Sequence, residues 1–157
     1  VGDSAANLRA AADALDSAGV AILARASLYT TAPQGEVLDQ PDFLNQALLL
    51  NTQLEAEPLL AELLFIEHEM GRYREEKYGP RTIDIDIIFF NQDTIRTGSL
   101  TVPHPHLADR RFVLAPLSEI AGSFLHPVSG LTVHELLANC TDPLPVHKFA
   151  GIVQKKD

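Results

Sequence analysis

Asp84 and Asp86 alternate with isoleucines in a run that has the pattern of a β-strand. Side chains on a strand alternate between its faces, so both carboxylates are expected on one face with their Cα atoms ~6.6 Å apart. That spacing lets two carboxylates flank one hard divalent cation or bridge a pair of such ions. The pattern is typical of a metal site, but an amphipathic strand whose aspartates face water and pair with nearby arginines would have it too.

Four cationic residues lie within ten positions just before these aspartates, in a stretch whose glycines and proline favour a loop. They are Arg72, Arg74, Lys77 and Arg81. A polyphosphate requires positive charge beside a divalent cation, because the metal bridges phosphate oxygens and guanidinium groups bind them in bidentate fashion. We therefore interpret residues 71–90 as a phosphate-handling centre.

The composition as a whole narrows the class of partner. The chain has 157 residues, 21 acidic and 12 basic, and a net charge of −9. Broad electrostatic attraction to nucleic acid or to an anionic membrane is therefore not expected, and the local basic cluster suits a small anion. The length and a hydrophobic content of 46% fit one domain over residues 1–157.

Cysteine usage and hydropathy bear on location. Cys140 is the only cysteine, which excludes an intrachain disulfide and favours a reducing compartment. No stretch approaches the roughly 20 consecutive apolar residues that span a bilayer. We expect a soluble, cytoplasmic protein.

The elements that must position the charged residues follow from periodicity and from turn residues. Helices are predicted over residues 4–18, 57–70 and, after a capping box, 132–138; strands over 20–29, 43–54, 83–90 and 94–97; and a strand or short helix over 112–120. Pro116 argues against a long helix in the last of these. This order of elements predicts an α+β fold with a mainly antiparallel sheet and helices packed on it.

Two further pairs of residues could bind ligands. Phe43 and Asn45 share a face at the start of a predicted strand, where an aromatic plate beside an amide suits a flat heterocycle, or equally a core Phe beside a satisfied Asn. His104 and His106 are flanked by prolines and could form a zinc pair, contact phosphate, or be exposed loop residues.

The run GRYREEKYGPRTIDIDIIFF, followed by LTVPHPHLADRRFVLAPLSEI, closely resembles the 6-hydroxymethyl-7,8-dihydropterin pyrophosphokinase family of folate biosynthesis. The earlier segments YTTAPQG and QPDFLN fit it too, so the resemblance covers nearly the whole chain. GPRxIDxD combined with PHP and RxFVLxPL is far more specific than DxD alone. The resemblance implies a ferredoxin-like α+β domain that transfers diphosphate from ATP to the pterin and releases AMP. The alternatives are a two-metal nucleotidyl-transfer domain and a pterin- or nucleotide-binding module impaired in catalysis.

The resemblance also implies residue roles. Asp84 and Asp86 would hold two Mg²⁺ ions along the triphosphate of ATP, and with Arg72 and Arg81 they form the expected catalytic set. The residues expected at ATP are Glu67, Arg72, Arg74, Lys77, Arg81, Ile87, His104 and Arg110. Those expected at the pterin are Thr31, Ala32, Pro33, Gln34, Phe43, Asn45 and Phe112, with the two phenylalanines on either side of the ring. The implied partners are small molecules only, and we expect a monomer.

The sequence departs from the family pattern in three places. The family ordinarily begins with a strand ending in Gly-Ser-Asn, whereas this sequence begins at Val1-Gly2-Asp3, so the first family strand is expected to be absent from it. The basic loop has Lys77-Tyr78 where a basic residue and Trp are usual. Pro105 stands where the family often has an aromatic residue.

Overall fold

The computed structural model of the chain describes residues 4–31, 43–72 and 83–148. These residues form helices α1 (Ser4–Ser17), α2 (Ala56–Arg72), α3 (Arg111–Ala121) and α4 (Val133–Ala138), and strands β1 (Ala21–Arg25), β2 (Tyr29–Thr31), β3 (Phe43–Asn45), β4 (Leu48–Asn51), β5 (Ile95–Arg96), β6 (Thr101–Val102) and β7 (Val146–Lys148). Every strand pairing in the described part of the chain is antiparallel. The predicted α+β class with antiparallel sheets is confirmed.

Helices α1 and α2 bury one apolar stripe each against the β1–β4 pair. In α2 the stripe consists of Leu59, Leu63 and Ile66, at the spacing that places side chains on one helical face. Helix α1 is followed by Gly19, whose φ of +86° is readily adopted only by glycine, and the turn lets the Val20 N–H donate to the carbonyl of Leu15. The two apolar stripes belong to the first of two hydrophobic clusters, on which Ile22 of β1 and Leu48 and Leu50 of β4 also pack.

The two long strands predicted over 20–29 and 43–54 are each interrupted. The predicted strand over 20–29 is divided into β1 and β2, and the one over 43–54 into β3 and β4. Strand β1 pairs with β4, whereas β2 pairs with both β3 and β7. At the interruption the Ala26 N–H donates to the carbonyl of Ala47, and the side chain of Gln46 donates to the carbonyl of Ala26. These hydrogen bonds take the place of regular ladder bonds, so a periodic sequence pattern continues across a break in the strands.

Residues 83–90, here called the acid segment, were predicted as a strand, but they join no sheet ladder within the described parts of the chain. Residues 83–88 nevertheless keep the alternation of a strand: Ile83, Ile85 and Ile87 pack in the first hydrophobic cluster, and Asp84 and Asp86 are exposed. The alternation ends at Phe89, which packs with Ile88 on the second cluster, while Phe90 packs on the first. The predicted facing of side chains was therefore right through residue 88 and wrong for the two phenylalanines, and the predicted strand pairing was wrong. Alternation reflects which side of the segment is covered, whereas pairing requires a neighbouring strand.

Helices α3 and α4 form the second hydrophobic cluster. Its buried residues are Leu107, Leu114, Leu117, Val133 and Leu136. The predicted capping box is present at the start of α4, where Thr132 and Glu135 exchange side-chain hydrogen bonds with each other's backbone N–H. The segment over 112–120 is helical, and Pro116 lies buried inside α3 rather than ending it.

The C-terminal end of α2 differs from the predicted one. Helix α2 runs through Gly71 to Arg72, although Gly71 was expected to end it. No helix in the described ranges is long and apolar enough to cross a membrane.

Candidate active site

A cavity of about 1100 Å³ lies between β4, the acid segment and α3. Its size exceeds that of most sites for one small ligand. Eight of the residues singled out from the sequence line it: Asn45, Asp84, Asp86, Ile87, His104, His106, Arg110 and Phe112. The structure thus gathers residues from four separate stretches of the chain around one space.

The acid segment forms one wall of this cavity. Ile83, Ile85 and Ile87 pack in the first hydrophobic cluster, whereas Asp84 and Asp86 between them are exposed. Both aspartates line the cavity, and so do these isoleucines. The carboxylate of Glu67, on α2, accepts a hydrogen bond of 2.5 Å from the backbone N–H of Ile85, between the two aspartates. Glu67 therefore tethers the backbone from which both acids project.

His104 lies close enough to Asp86 and to Arg110 for both charges to act on its ring. Burial lowers the pKa of His104 below its ordinary value; the carboxylate of Asp86 opposes this shift, and the charges of Arg110 and His106 add to it. The Nδ1 atom of His104 accepts from the His106 N–H at 3.2 Å, so the neutral ring carries its proton on Nε2. The backbone N–H of His104 donates to the carbonyl of Ile88 at 2.9 Å, which holds this histidine beside the acid segment.

Within the described ranges, the histidine pair gains no further protein ligand for a zinc ion. The rings of His104 and His106 are 6.0 Å apart between centroids. Among the residues that the structure describes, no group of three or more His, Cys, Asp or Glu side chains could hold a metal ion. Two exposed carboxylates remain a suitable site for Mg²⁺, because that ion usually takes one or two carboxylates and completes its octahedron with water and phosphate oxygens.

Phe112 contributes an apolar ring to the lining of the cavity, and Asn45 contributes an amide group. Phe112 lies in the first turn of α3, and the guanidinium carbon of Arg110 is 5.8 Å from the centre of its ring. The side-chain N–H of Asn45 donates to the hydroxyl of Thr31 at 3.1 Å, and Thr31 is only 3% exposed. This bond between β2 and β3 fixes the orientation of the Asn45 amide.

Phe43 does not line the cavity. It is 53% exposed, at the start of β3, so the described structure does not bring it to the cavity with Phe112. Ile87 lines the cavity, but its side chain belongs to the hydrophobic core, which leaves its backbone as the part able to contact a ligand.

Several predicted site residues lie outside the described residues. They are Ala32, Pro33 and Gln34 of the pterin set and Arg74, Lys77 and Arg81 of the basic stretch; for Arg72, at the end of α2, only the backbone is described.

Sequence reasoning missed two groups that hold α3 in place. At its start, the carboxylate of Asp142 accepts from the Arg111 N–H at 3.0 Å, and Asp142 also lines the cavity. Near its end, Glu119 accepts from the backbone N–H and hydroxyl of Ser27 and from the phenol of Tyr29. Partners 31 and about 90 residues apart leave no local pattern in a sequence, and only the fold reveals them.

Both anchors shift the pKa values of their carboxyl groups. Hydrogen bonds from the backbone lower the pKa of Asp142 and of Glu119, so both stay ionised at neutral pH. The same anchor raises the pKa of Tyr29, through burial first and then through its hydrogen bond to Glu119.

Comparisons with known proteins identify the family of the chain. A family model described as 7,8-dihydro-6-hydroxymethylpterin-pyrophosphokinase matches residues 1–122. A protein of Methylorubrum extorquens named 2-amino-4-hydroxy-6-hydroxymethyldihydropteridine pyrophosphokinase is 39% identical over 149 residues, which cover 94% of this chain and 92% of that protein. A Bacillus subtilis protein of the same name is 46% identical over 121 residues, 76% of this chain and 72% of that protein.

Other relatives are longer polypeptides. The "Folate synthesis bifunctional protein, mitochondrial" of Pisum sativum is 45% identical over 123 residues, which cover 78% of this chain. The chain spans only 24% of the length of that protein.

Proposed function

Because the chain belongs to the 7,8-dihydro-6-hydroxymethylpterin-pyrophosphokinase family, we propose that it transfers diphosphate from ATP to 6-hydroxymethyl-7,8-dihydropterin and releases AMP. The observation that carries this proposal is the convergence of Asp84, Asp86, His104 and Arg110 on a cavity that Phe112 and Asn45 also line. One part of the cavity thus suits phosphate, and another suits a flat heterocycle. The reaction is a step in the synthesis of folate.

In the proposed reaction the hydroxymethyl oxygen of the pterin attacks the β-phosphorus of ATP. A new bond forms between that oxygen and phosphorus, and the bond from the β-phosphorus to the oxygen bridging to the α-phosphate breaks. AMP leaves with the bridging oxygen, and the hydroxyl proton passes to solvent. Such a transfer depends chiefly on alignment of the reactants and on neutralisation of phosphate charge.

The charged residues of the cavity are suited to these two tasks. Asp84 and Asp86 would hold Mg²⁺, in our proposal two ions, which would neutralise charge on the phosphate oxygens. His104, through its Nε2–H, and Arg110, through its guanidinium group, are donors to phosphate oxygens. Neutral His104 can donate from Nε2 because its Nδ1 is already an acceptor for the His106 N–H.

Phe112 and Asn45 are the proposed contacts of the pterin. The ring of Phe112 offers a flat apolar surface for stacking, and the amide of Asn45 can donate to and accept from the edge of the heterocycle. Phe43 would cover the other face of the ring. Since Phe43 is half-exposed at the edge of β3, this role requires the bound pterin to extend to that edge.

The finer form of the fold is also part of this proposal. The acid segment and β4 line the same cavity, and apolar residues of α1 and α2, such as Leu15 and Leu63, line it between them. An additional strand between β4 and the acid segment would give the acid segment its missing ladder partner and join it to β1 and β4 in a ferredoxin-like sheet.

An extended version of the chain tests the added strand. An apolar strand of about six residues ending in Gly-Ser-Asn, placed before Val1, should raise the denaturant midpoint of unfolding. The control is the same extension with two of its apolar residues replaced by lysine. Equal midpoints for the two extensions would count against the added strand.

The reaction itself is tested by incubating the protein with ATP, Mg²⁺ and 6-hydroxymethyl-7,8-dihydropterin. AMP and the pterin diphosphate in equal amounts, and AMP only when the pterin is present, are the expected result. Binding of the pterin without AMP would indicate a binding module instead. Release of pyrophosphate from ATP would indicate nucleotidyl transfer.

A further inference from the structure

Two adjacent arginines at the start of α3 contact different parts of the molecule. Arg110 lies beside Phe112 and the cavity. The guanidinium group of Arg111 instead donates to the carbonyl of Cys140 at 2.9 Å and to the carbonyl of Asp142 at 3.2 and 3.3 Å. Arg111 therefore joins the start of α3 to residues 140–144, here called the C-terminal strap.

The strap also supplies the cap that α3 lacks locally. Arg110 occupies the N-cap position, and its side chain makes no capping hydrogen bond. One carboxylate oxygen of Asp142 accepts from the Arg111 N–H at 3.0 Å, and the other accepts from the Leu144 N–H at 3.0 Å. The ionised carboxylate thus satisfies a free N–H of the first turn and lies at the positive end of the helix.

These contacts are outside what the family pattern specifies. Arg111 occupies the open position of the RxFVLxPL pattern, between Arg110 and Phe112. Asp142 lies beyond residue 122, where the match to the family model ends. The family resemblance therefore implies no role for either residue.

We propose that Asp142 and Arg111 are positioning residues for Phe112, through the first turn of α3, and that they set the affinity for the pterin. The inference rests on the proposed function, which places Phe112 against the pterin ring. Phe112 follows Arg111 directly, so the backbone N–H that Asp142 holds is adjacent to the aromatic residue. Loss of the cap frees the first helical turn, and the ring of Phe112 then spends less time in the orientation that stacks.

The test compares kinetic constants of variants with those of the unchanged protein. Asp142→Ala should raise KM for the pterin roughly five- to tenfold, the size expected for loss of a helix cap. KM for ATP should rise less than KM for the pterin, because Asp84, Asp86 and His104 lie away from α3 and only Arg110 adjoins the loosened turn. Asp142→Asn keeps one carbonyl oxygen as acceptor and should recover part of the affinity.

A second variant and a control separate positioning from general stability. Arg111→Ala should raise KM for the pterin in the same way, and the double variant should exceed either single variant only slightly, since both act through one turn. Thr132→Ala removes the capping box of α4 and should lower the thermal midpoint without changing KM for the pterin.

An unchanged KM for the pterin in Asp142→Ala, or an equal rise in Thr132→Ala, would overturn the inference. Hydrogen exchange at the Arg111 and Leu144 N–H groups gives a readout that needs no substrate, and exchange should accelerate in Asp142→Ala. If the unchanged protein released no AMP with the pterin, the proposed function would be wrong, whatever Asp142 does. If hydrogen exchange were unaltered in Asp142→Ala, Asp142 would not cap α3, and the inference would be wrong.

Discussion

The two walls of the cavity are built in different ways. The acid segment carries exposed aspartates but makes no ladder bonds within the described residues, and Glu67 and His104 attach it by one backbone hydrogen bond each. Helix α3 carries Phe112 and is held by its own backbone bonds, by the buried side chain of Leu114, and by anchors at both ends. The first wall mainly contributes charge, and the second contributes both packing and an aromatic surface.

This difference means that activity and stability should respond separately to substitutions. A change at the tip of the acid segment removes charge that faces the cavity and leaves the core intact. A change under α3 removes packing and leaves the charged residues in place. The four predictions below test that separation, from the largest expected effect to the smallest.

Asp86→Asn should lower kcat by about 100-fold or more, because a bound metal ion contributes several kcal/mol of charge stabilisation. The free energy of unfolding should change by less than about 0.5 kcal/mol, since the side chain is exposed. Initial rates of AMP formation and chemical denaturation measure the two quantities. An unchanged kcat would show that Asp86 is not needed for the reaction. A large fall in the free energy of unfolding would show that Asp86 has a structural role.

Leu114→Ala should lower the free energy of unfolding by about 3 kcal/mol, because the side chain is fully buried and the substitution leaves a cavity. At temperatures where the variant is folded, kcat should stay within about threefold of the unchanged protein. Leu125→Ala is the control, since Leu125 is half-exposed and its truncation should cost about 0.5 kcal/mol or less. A small loss in Leu114→Ala would show that the wall does not depend on this packing.

Sequence periodicity predicted the secondary structure best where one residue pattern serves one element. The helical spacing of Leu59, Leu60, Leu63, Leu64 and Ile66 identified α2, although Leu64 is exposed in the structure. The alternation in the acid segment identified which side carries Asp84 and Asp86. The breaks within the two long strands were missed, because the apolar pattern continues while the pairing partner changes. Pairing is a property of two segments and cannot be derived from one.

The site shows the same limit. Asp86, His104 and Phe112 could be assigned to one site from motifs that occur together in a known family. Asp142 and Glu119 could not, because each acts through a backbone or side-chain partner far away in the sequence. Their residue types are common in loops and helices, so only their contacts distinguish them from surface carboxylates.

Glu67→Gln should lower kcat by about tenfold, the lower range for residues that orient metal-binding groups. A neutral amide accepts the Ile85 N–H more weakly than a carboxylate does, so the backbone between the two aspartates is held less firmly. The free energy of unfolding should fall by about 1 kcal/mol. Glu62→Gln, on the same helix, is the control and should change neither quantity. An unaffected kcat in Glu67→Gln would mean that the acid segment keeps its position without this tether.

The smallest expected effect concerns His126, whose ring packs edge-on against Phe89 of the acid segment with 5.7 Å between centroids. Its Nδ1 accepts from the Val128 and Ser129 N–H groups, both at 3.1 Å, and burial lowers its pKa below the ordinary 6.5.

The imidazole of His126 binds a proton less readily in the folded protein than in the unfolded chain. The free energy of unfolding should therefore fall as the pH drops below 6.5, and this fall should end below the folded-state pKa of His126. Chemical denaturation should show this loss between pH 7.5 and 5, and His126→Asn should reduce it. The reduction should be partial, since the pKa of His104 is lowered as well and contributes in the same direction. A ring NMR titration of His126 with a midpoint at or above 6.5 would contradict the prediction.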